Sequence, residues 1–145
     1  MAAALGVVVV ATLSGSQPAS AASSATCPAG DLCLYFNSDF GGARADLRHT
    51  DAALNNELFD DGTPGANGWK VKVGNNAASV WNRTGSWVNL YDSQDCSGPA
   101  AQLGPGEKEN LTRWANAGLD LKNKVSSIKT ADGLSCTVNR DQSSY

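Results

Sequence analysis

The chain has 145 residues and a formal net charge of -3, from 11 Lys and Arg against 14 Asp and Glu. Binding to nucleic acid needs a clustered basic face, so this balance excludes nucleic acid as a partner. The 15 glycines favour many short strands over long helices, and the length allows one domain with a modest core.

The first 21 residues are predicted to be a signal peptide. Residues 2–13 form an apolar run too short to span a bilayer, and residues 19–21 read A-S-A, an A-x-A cleavage pattern. No Lys or Arg precedes Arg44, so the usual basic start of such a segment is missing, and we expect a truncated or mis-assigned start. The mature part, residues 22–145, is expected to be a secreted single domain without a membrane anchor, ending in a polar tail.

Four cysteines in an exported chain indicate two disulfides, for which three pairings exist. Cys27 and Cys33 lie six residues apart around a Pro-Ala-Gly turn, which can bring them within bridging distance. The remaining pair is Cys96 with Cys136, which ties a hairpin to the C-terminal segment. A zinc site is disfavoured, because there is no C-x-x-C pair and His49 is the only histidine.

The first half of the mature chain predicts four strands and one long loop. An apolar strand at 32–36 leads into a hairpin turn, and 44–48 return as a strand. Residues 51–68 are rich in Asn, Asp, Pro and Gly and are predicted to be loop, whereas 69–73 alternate as a half-buried strand. Residues 78–81 form the next strand.

The second half continues with elements of the same kind. A strand at 87–91 follows a turn, and both Trp81 and Trp87 are expected in the core. The remaining predicted elements are a turn at 103–106, a short helix at 107–116 with Trp114 inward, a strand at 125–129 and a last short strand at 136–138.

The chain also repeats itself. The motif L-Y-x-x-x-D-x-x-G starts at Leu34 and again at Leu90, an offset of 56 residues. Each copy is followed by N-x-x-S, starting at Asn76 and at Asn123. The Tyr-to-Asn spacing is 41 residues in the first copy and 32 in the second, which indicates a nine-residue insertion in the first. About eight short strands in two such units predict an all-β, duplicated Greek-key sandwich.

A second pattern lies within the first hairpin. Tyr35, Phe40 and Gly42 form Y-x-x-x-x-F-x-G, in which an aromatic ring covers a glycine at positive φ. Tyr91 and Gly98 repeat this pattern. Followed by N-N-x-x-S, it resembles the Greek-key signature of the βγ-crystallin superfamily.

The opening of the mature chain is more specific still. It reads C-P-A-G-D-L-C-L-Y-F-N-S-D-F-G-G, and with the Greek-key pattern it resembles the bacterial metalloproteinase-inhibitor family that is built on the βγ-crystallin fold. The resemblance runs from Cys27 to about Lys129. It implies a secreted, monomeric, non-catalytic peptidase inhibitor whose partner is an extracellular metalloproteinase.

The resemblance also implies an inhibitory loop. In the family, the presented bond follows a disulfide-linked cysteine in the second hairpin, which here places it at Cys96–Ser97. A disulfide-held loop binds with little loss of conformational entropy. Thermolysin-like enzymes favour a bulky apolar residue after the cut, and the small, polar Ser97 loses about 1.5–3 kcal/mol of contact there.

Calcium is the only cofactor that the resemblance raises. Relatives with this fold often bind it through two N/D-N/D-x-x-S/T-S loops, and calcium takes six to eight oxygen ligands. Two lysines flank the second loop and neither loop holds a carboxylate, so we expect weak binding or none, with the Asn and Ser side chains bonding the local backbone instead. The side-chain candidates are Asn76, Ser79, Asn123 and Ser126.

No catalytic residues are predicted. His49 lies in a polar stretch without a G-x-S-x-G or H-E-x-x-H context, and the acidic pairs lie in exposed turns. The alternative to an inhibitor is therefore an extracellular structural or calcium-binding module of the same fold that inhibits nothing.

Overall fold

Residues 26–136, the part of the chain that the computed structural model describes, form two antiparallel sheets without an α-helix. The seven strands are β1 (Leu32–Tyr35), β2 (Arg44–Leu47), β3 (Ser79–Asn82), β4 (Val88–Ser93), β5 (Ser97–Leu103), β6 (Lys108–Asn110) and β7 (Ser127–Lys129). Single-turn 3-10 helices lie at Ser38–Phe40, Leu54–Asn56 and Ala115–Ala117. One sheet has the order β2-β1-β3-β6 and the other β5-β4-β7, which confirms the all-β prediction. Within the described range, no helix could cross a membrane.

Each copy of the repeat contributes one segment to the sheet of the other copy. β6 belongs to the second copy but pairs with β3 of the first, with Val80 opposite Glu109. In the other direction, the first copy reaches the second sheet through one bridge, between Asp51 and Ile128. Each sheet is thereby completed by the other copy, as in a Greek-key sandwich.

The core lies between the two sheets. β1 is buried along its whole length, because its two faces meet different partners. Leu32 and Leu34 face the core between the sheets, whereas Cys33 and Tyr35 belong to a smaller outer cluster with Cys27. Fully buried residues of the opposite sheet complete the core: Val88, Leu90, Leu103 and Ile128.

The folded hairpin predicted from Y-x-x-x-x-F-x-G is present. The rings of Tyr35 and Phe40 meet edge to face, with centroids 5.8 Å apart. Gly42 has φ +78, and a Cβ there would lie 2.8 Å from the backbone oxygen of Asn67. Both the conformation and the space therefore require glycine at this position.

Residues 69–73 do not form the predicted strand. Lys70 has φ +64, and the segment is held by turns, with the backbone N–H groups of Trp69 and Val71 donating to the carbonyls of Ala66 and Gly68. Val73 is buried and Val71 packs against the core. The alternating pattern thus belongs to a loop that turns its two valines inward. An alternation of apolar and polar residues alone does not distinguish such a loop from a strand.

The predicted helix at 107–116 is also wrong. Its first part is β6, which pairs with β3, and turns lead from there to the 3-10 helix Ala115–Ala117. Trp114 does pack against the core, as expected. Trp87 does not, since it is 61% exposed immediately before β4, whereas Trp81 is half-buried.

At the C-terminus, Cys136 lies in a turn, and the rest of the predicted strand at 136–138 falls outside the described residues. The predicted signal peptide and polar tail lie outside them as well. Conversely, β5 is a strand that the sequence did not indicate. Its first four residues, S-G-P-A, carry turn chemistry rather than an alternating pattern.

Candidate functional site

Two disulfides hold the ends of the described chain. They join Cys27 to Cys33 and Cys96 to Cys136, with Cα atoms 5.9 and 5.6 Å apart, the pairs expected from the spacing. The first closes a local turn at the start of β1. The second spans 40 residues and links the end of the β4–β5 hairpin to the C-terminal segment.

The two hairpins have the same backbone conformation. Asp39 and Asp95 both have φ +57, while Gly42 and Gly98 have φ +78 and +76. Phe40 of the first hairpin corresponds to Cys96 of the second, with φ +61 and +50. The aromatic lid of the first hairpin is therefore replaced in the second by a disulfide.

One serine hydroxyl clamps each hairpin. Ser79 Oγ donates to the carbonyl of Asn37 at 2.7 Å and accepts from the backbone N–H of Phe40 at 3.0 Å. Ser127 Oγ donates to the carbonyl of Ser93 at 2.6 Å and accepts from the N–H of Cys96 at 3.0 Å. Ser79 therefore corresponds to Ser127.

This correspondence corrects the register of the repeat. Asn75 and Asn123 share left-handed conformations, with φ +63 and +57, and each N–H donates to the opposite copy. The repeated unit is N-x-x-x-S, from Asn75 to Ser79 and from Asn123 to Ser127. The counterpart of Asn123 is therefore Asn75 rather than Asn76, and the counterpart of Ser79 is Ser127 rather than Ser126. The insertion is then eight residues rather than nine, because the Tyr-to-Asn spacings are 40 and 32. The doublets N-N and S-S allowed either register.

Two of the four calcium candidates, Asn76 and Ser126, bond the local backbone. Asn76 Nδ2 donates to the carbonyls of Lys72 and Gly74, at 3.0 and 3.1 Å. Ser126 Oγ lies 3.1 Å from the carbonyl of Lys124 and 3.0 Å from Asn75 Oδ1. Ser79 clamps the first hairpin as described above, and Asn123 is exposed. Between residues 26 and 136, no cluster of three or more His, Cys, Asp or Glu side chains is placed to hold a metal ion.

The predicted inhibitory bond lies at the exposed end of the second hairpin. Ser97 opens β5, an edge strand whose first four residues are exposed. Ser97 Oγ donates to the carbonyl of Gln94 at 2.7 Å. Gly98 has φ +76, a left-handed conformation that favours glycine where the chain turns here. Cys96 itself is half-buried against Ile128.

An acidic groove of about 640 Å³ lies beside the inserted loop. Burial raises the pKa of Asp51, Glu57 and Asp61, and the neighbouring charge of Asp51 raises that of Glu57 further. Several of the other carboxylates are paired, as in the contact of 2.9 Å between Arg48 and Asp31. The raised pKa values mean that these carboxyl groups take up protons more readily than exposed ones do. The sequence did not indicate the groove, because its acidic residues are spread from Asp31 to Asp61. It is lined by Pro28, Asp31, Asp46, Leu47, Arg48, His49, Thr50, Asp51, Glu57, Asp60 and Asp61.

Comparison with known proteins identifies the family. The model of peptidase inhibitor family I36 matches residues 20–103. A βγ-crystallin from Ciona intestinalis is 22% identical, with a TM-score of 0.52, covering 70% of this chain and 99% of its own. A structure concerned with the evolution of the eye lens βγ-crystallin domain fold is 14% identical, with a TM-score of 0.54, covering 72% and 88%.

The structural likeness gives the fold, and the family model gives the function in general terms. A comparison with curated proteins found no significant match. The chain belongs to peptidase inhibitor family I36, and it is a protease inhibitor on a βγ-crystallin fold rather than an enzyme.

Proposed function

We propose that the chain is a secreted inhibitor of extracellular metalloproteinases and that the end of the β4–β5 hairpin, at Cys96–Ser97, enters the cleft of the enzyme. One observation carries this assignment. The hairpin end is exposed at Ser97, yet a disulfide, a serine clamp and a left-handed turn fix its backbone.

Rigidity supports binding because ordering a flexible loop opposes it. Immobilising a residue's backbone on binding lowers affinity by about 1–2 kcal/mol. Here the Cys96 N–H is bonded to Ser127 at 3.0 Å, and its sulfur is bonded to Cys136. The hairpin therefore meets its partner already ordered.

The same conformation opposes cleavage of the bound loop. A protease needs the scissile bond in a near-attack geometry, with the reacting atoms about 3–3.5 Å apart. The left-handed φ values of Asp95 and Cys96, +57 and +50, turn the chain just before Ser97. A bond held in this turn reaches that geometry slowly, so the loop occupies the cleft as an inhibitor rather than as a substrate.

A protease panel tests the proposal. We expect the purified mature domain to inhibit at least one metalloproteinase. Inhibition should be equal in the presence of added calcium and of a chelator that removes free calcium but leaves the metal ions of the enzyme in place. Serine proteases serve as the contrasting class. Inhibition of serine proteases alone would contradict the metalloproteinase assignment, and inhibition of none would favour the structural-module alternative.

A further inference from the structure

We infer that the segment Asp51–Asn55 of the first copy is a positioning element for the β4–β5 hairpin, with Asn55 as the positioning side chain. This inference rests on the proposed function, because it assigns residues that hold the proposed inhibitory bond. None of these residues lies at the bond itself. They reach it from the opposite copy of the repeat.

Two hydrogen bonds connect the segment to the hairpin. The backbone N–H of Asp95 donates to the carbonyl of Ala52 at 2.8 Å. Gln94 Nε2 donates to Asn55 Oδ1 at 3.0 Å. The two residues that precede Cys96 are therefore both tied to this segment.

The segment can act as a support because it is itself fixed. Asp51 exchanges both backbone hydrogen bonds with Ile128 of β7, at 3.0 and 2.9 Å. The Asp51 carboxylate accepts from the N–H of Ala53 at 2.7 Å. Leu54 is fully buried, and its N–H donates to the carbonyl of Ser126 at 2.9 Å. The segment is thus anchored on both sides of Ala52.

The backbone position of Asn55 is equally constrained. The N–H of Gly74 donates to the carbonyl of Leu54 at 2.9 Å, and a Cβ on Gly74 would lie 2.7 Å from the backbone nitrogen of Asn55. The Asn55 side chain, by contrast, is exposed and contributes nothing to the core. Its amide can therefore be removed without creating a cavity.

The first hairpin has its own support, which provides a matched control. Asn110 of the second copy accepts from the N–H of Asp39 at 2.7 Å and donates to its carboxylate at 2.8 Å. Each hairpin is thus held by a residue of the opposite copy. Only the pair Gln94–Asn55 adjoins the proposed inhibitory bond. Removal of the Asn110 side chain should therefore loosen the first hairpin and leave the β4–β5 hairpin unchanged.

The experiment compares Asn55→Ala, Gln94→Ala, their double variant and Asn110→Ala. We expect either single variant to weaken inhibition about fivefold to tenfold, the loss of one hydrogen bond of ordinary strength. The double variant should be no weaker than the weaker single, because both remove the same contact. In both single variants, cleavage at Cys96–Ser97 should also become faster. Asn110→Ala should change neither the inhibition nor the cleavage rate. Asn55→Asp keeps the hydrogen-bond acceptor and should therefore inhibit as the wild type does.

Hydrogen exchange of the Asp95 and Cys96 amides separates this inference from the proposed function. Faster exchange in Asn55→Ala but not in Asn110→Ala supports the positioning role even if the wild type inhibits no protease, a result that would defeat only the proposed function. Two results would overturn the inference. One is unchanged exchange of these amides in Asn55→Ala. The other is that Asn55→Ala and Asn110→Ala weaken inhibition equally and in proportion to their loss of melting temperature.

Discussion

Asn82 shows how a single buried polar side chain joins the two sheets. The two hydrogens of its side-chain nitrogen are shared among the carbonyls of Ser86, Leu103 and Gly104, at 2.7, 3.0 and 3.0 Å. Its oxygen accepts from the N–H and the hydroxyl of Thr84 at 3.0 and 2.8 Å. The side chain is fully buried, so this N-x-T sequon cannot carry a glycan in the folded protein.

Replacing Asn82 with Ala should lower the free energy of unfolding by about 2–4 kcal/mol, since several buried carbonyls and one N–H lose their partner together. Denaturant unfolding of the mature domain measures this change. Gln102→Ala, an exposed amide on β5, is the control and should stay within about 0.5 kcal/mol of the wild type. Equal effects of the two variants would show that the Asn82 network is replaced by water.

Ser97 is the residue on which the proposed specificity depends. Ser97→Val should strengthen inhibition of a thermolysin-like enzyme roughly tenfold, from about 1.5 kcal/mol of added apolar burial. The variant also loses the bond from Ser97 Oγ to Gln94, so Ser97→Ala serves as the control that removes the hydroxyl alone. Inhibition constants for the three proteins, beside their melting temperatures, give the answer. A correctly folded Ser97→Val domain with unchanged inhibition of several metalloproteinases would exclude this bond from the interface.

At the scale of elements, the strands that the sequence predicted share one property. β1 and β3 contain adjacent apolar residues next to turns, β4 alternates between buried and half-buried residues, and β2 follows the hairpin glycines, so local pattern and turn chemistry agree there. β5 and β6 have no such agreement. β6 is a strand because it crosses to β3 of the other copy, a tertiary contact that local pattern cannot encode.

The candidate site was predictable in part. The resemblance placed Cys96–Ser97 on the second hairpin, and the spacing favoured the observed disulfides. The support from Ala52 and Asn55 was not predictable, because it joins residues that are about 40 positions apart through an inserted loop. The register of the asparagine loops was ambiguous wherever two identical residues adjoined, and only the serine clamps resolved it.

These asparagine loops carry the calcium prediction. Lys122 and Lys124 are exposed beside Asn123, where their charge opposes a cation. We propose that calcium binds weakly or not at all, so that millimolar calcium should leave the melting temperature unchanged, because only a ligand bound to the native state raises it. Lys122→Asp should create or increase a response to calcium, whereas Lys129→Asp makes the same charge change outside the loop and should not. A higher melting temperature of the wild type at sub-millimolar calcium would show that backbone carbonyls bind the ion in spite of the repulsion from the two lysines.

At the scale of the whole molecule, reciprocity between the copies is the main source of order. β6 completes the sheet of the first copy, and Asp51 bridges to β7 of the second. Each hairpin is held by a residue from the opposite copy. Neither copy alone could satisfy these backbone groups, so we expect the domain to unfold as one cooperative unit.

The pH dependence of stability is also a property of the whole molecule, because it sums groups with opposite shifts. Burial raises the pKa of Asp51, Glu57 and Asp61 above their ordinary values of 3.8, 4.5 and 3.8. An acid whose pKa is raised by folding stabilises the native state below its ordinary value, and this stabilisation is lost as pH rises through the folded value. For Asp132, burial is outweighed by hydrogen bonds from Thr50 and Leu134, which lower its pKa, so its contribution is lost only as pH falls below 3.8.

The free energy of unfolding should therefore rise as pH falls through the raised pKa values of Asp51, Glu57 and Asp61 towards their ordinary values, and decline in stronger acid as Asp132 is protonated. Chemical denaturation across pH 3 to 8 measures the profile. Glu57→Gln removes one carboxyl whose pKa is raised, with little change of shape, and should make this rise smaller. Glu109, which is half-buried and pairs with Arg113 at 2.6 Å outside the groove, provides the control: Glu109→Gln should keep the rise. Stability that is greatest at pH 7 or above in the wild type would show that the groove carboxyls stay ionised in the folded protein.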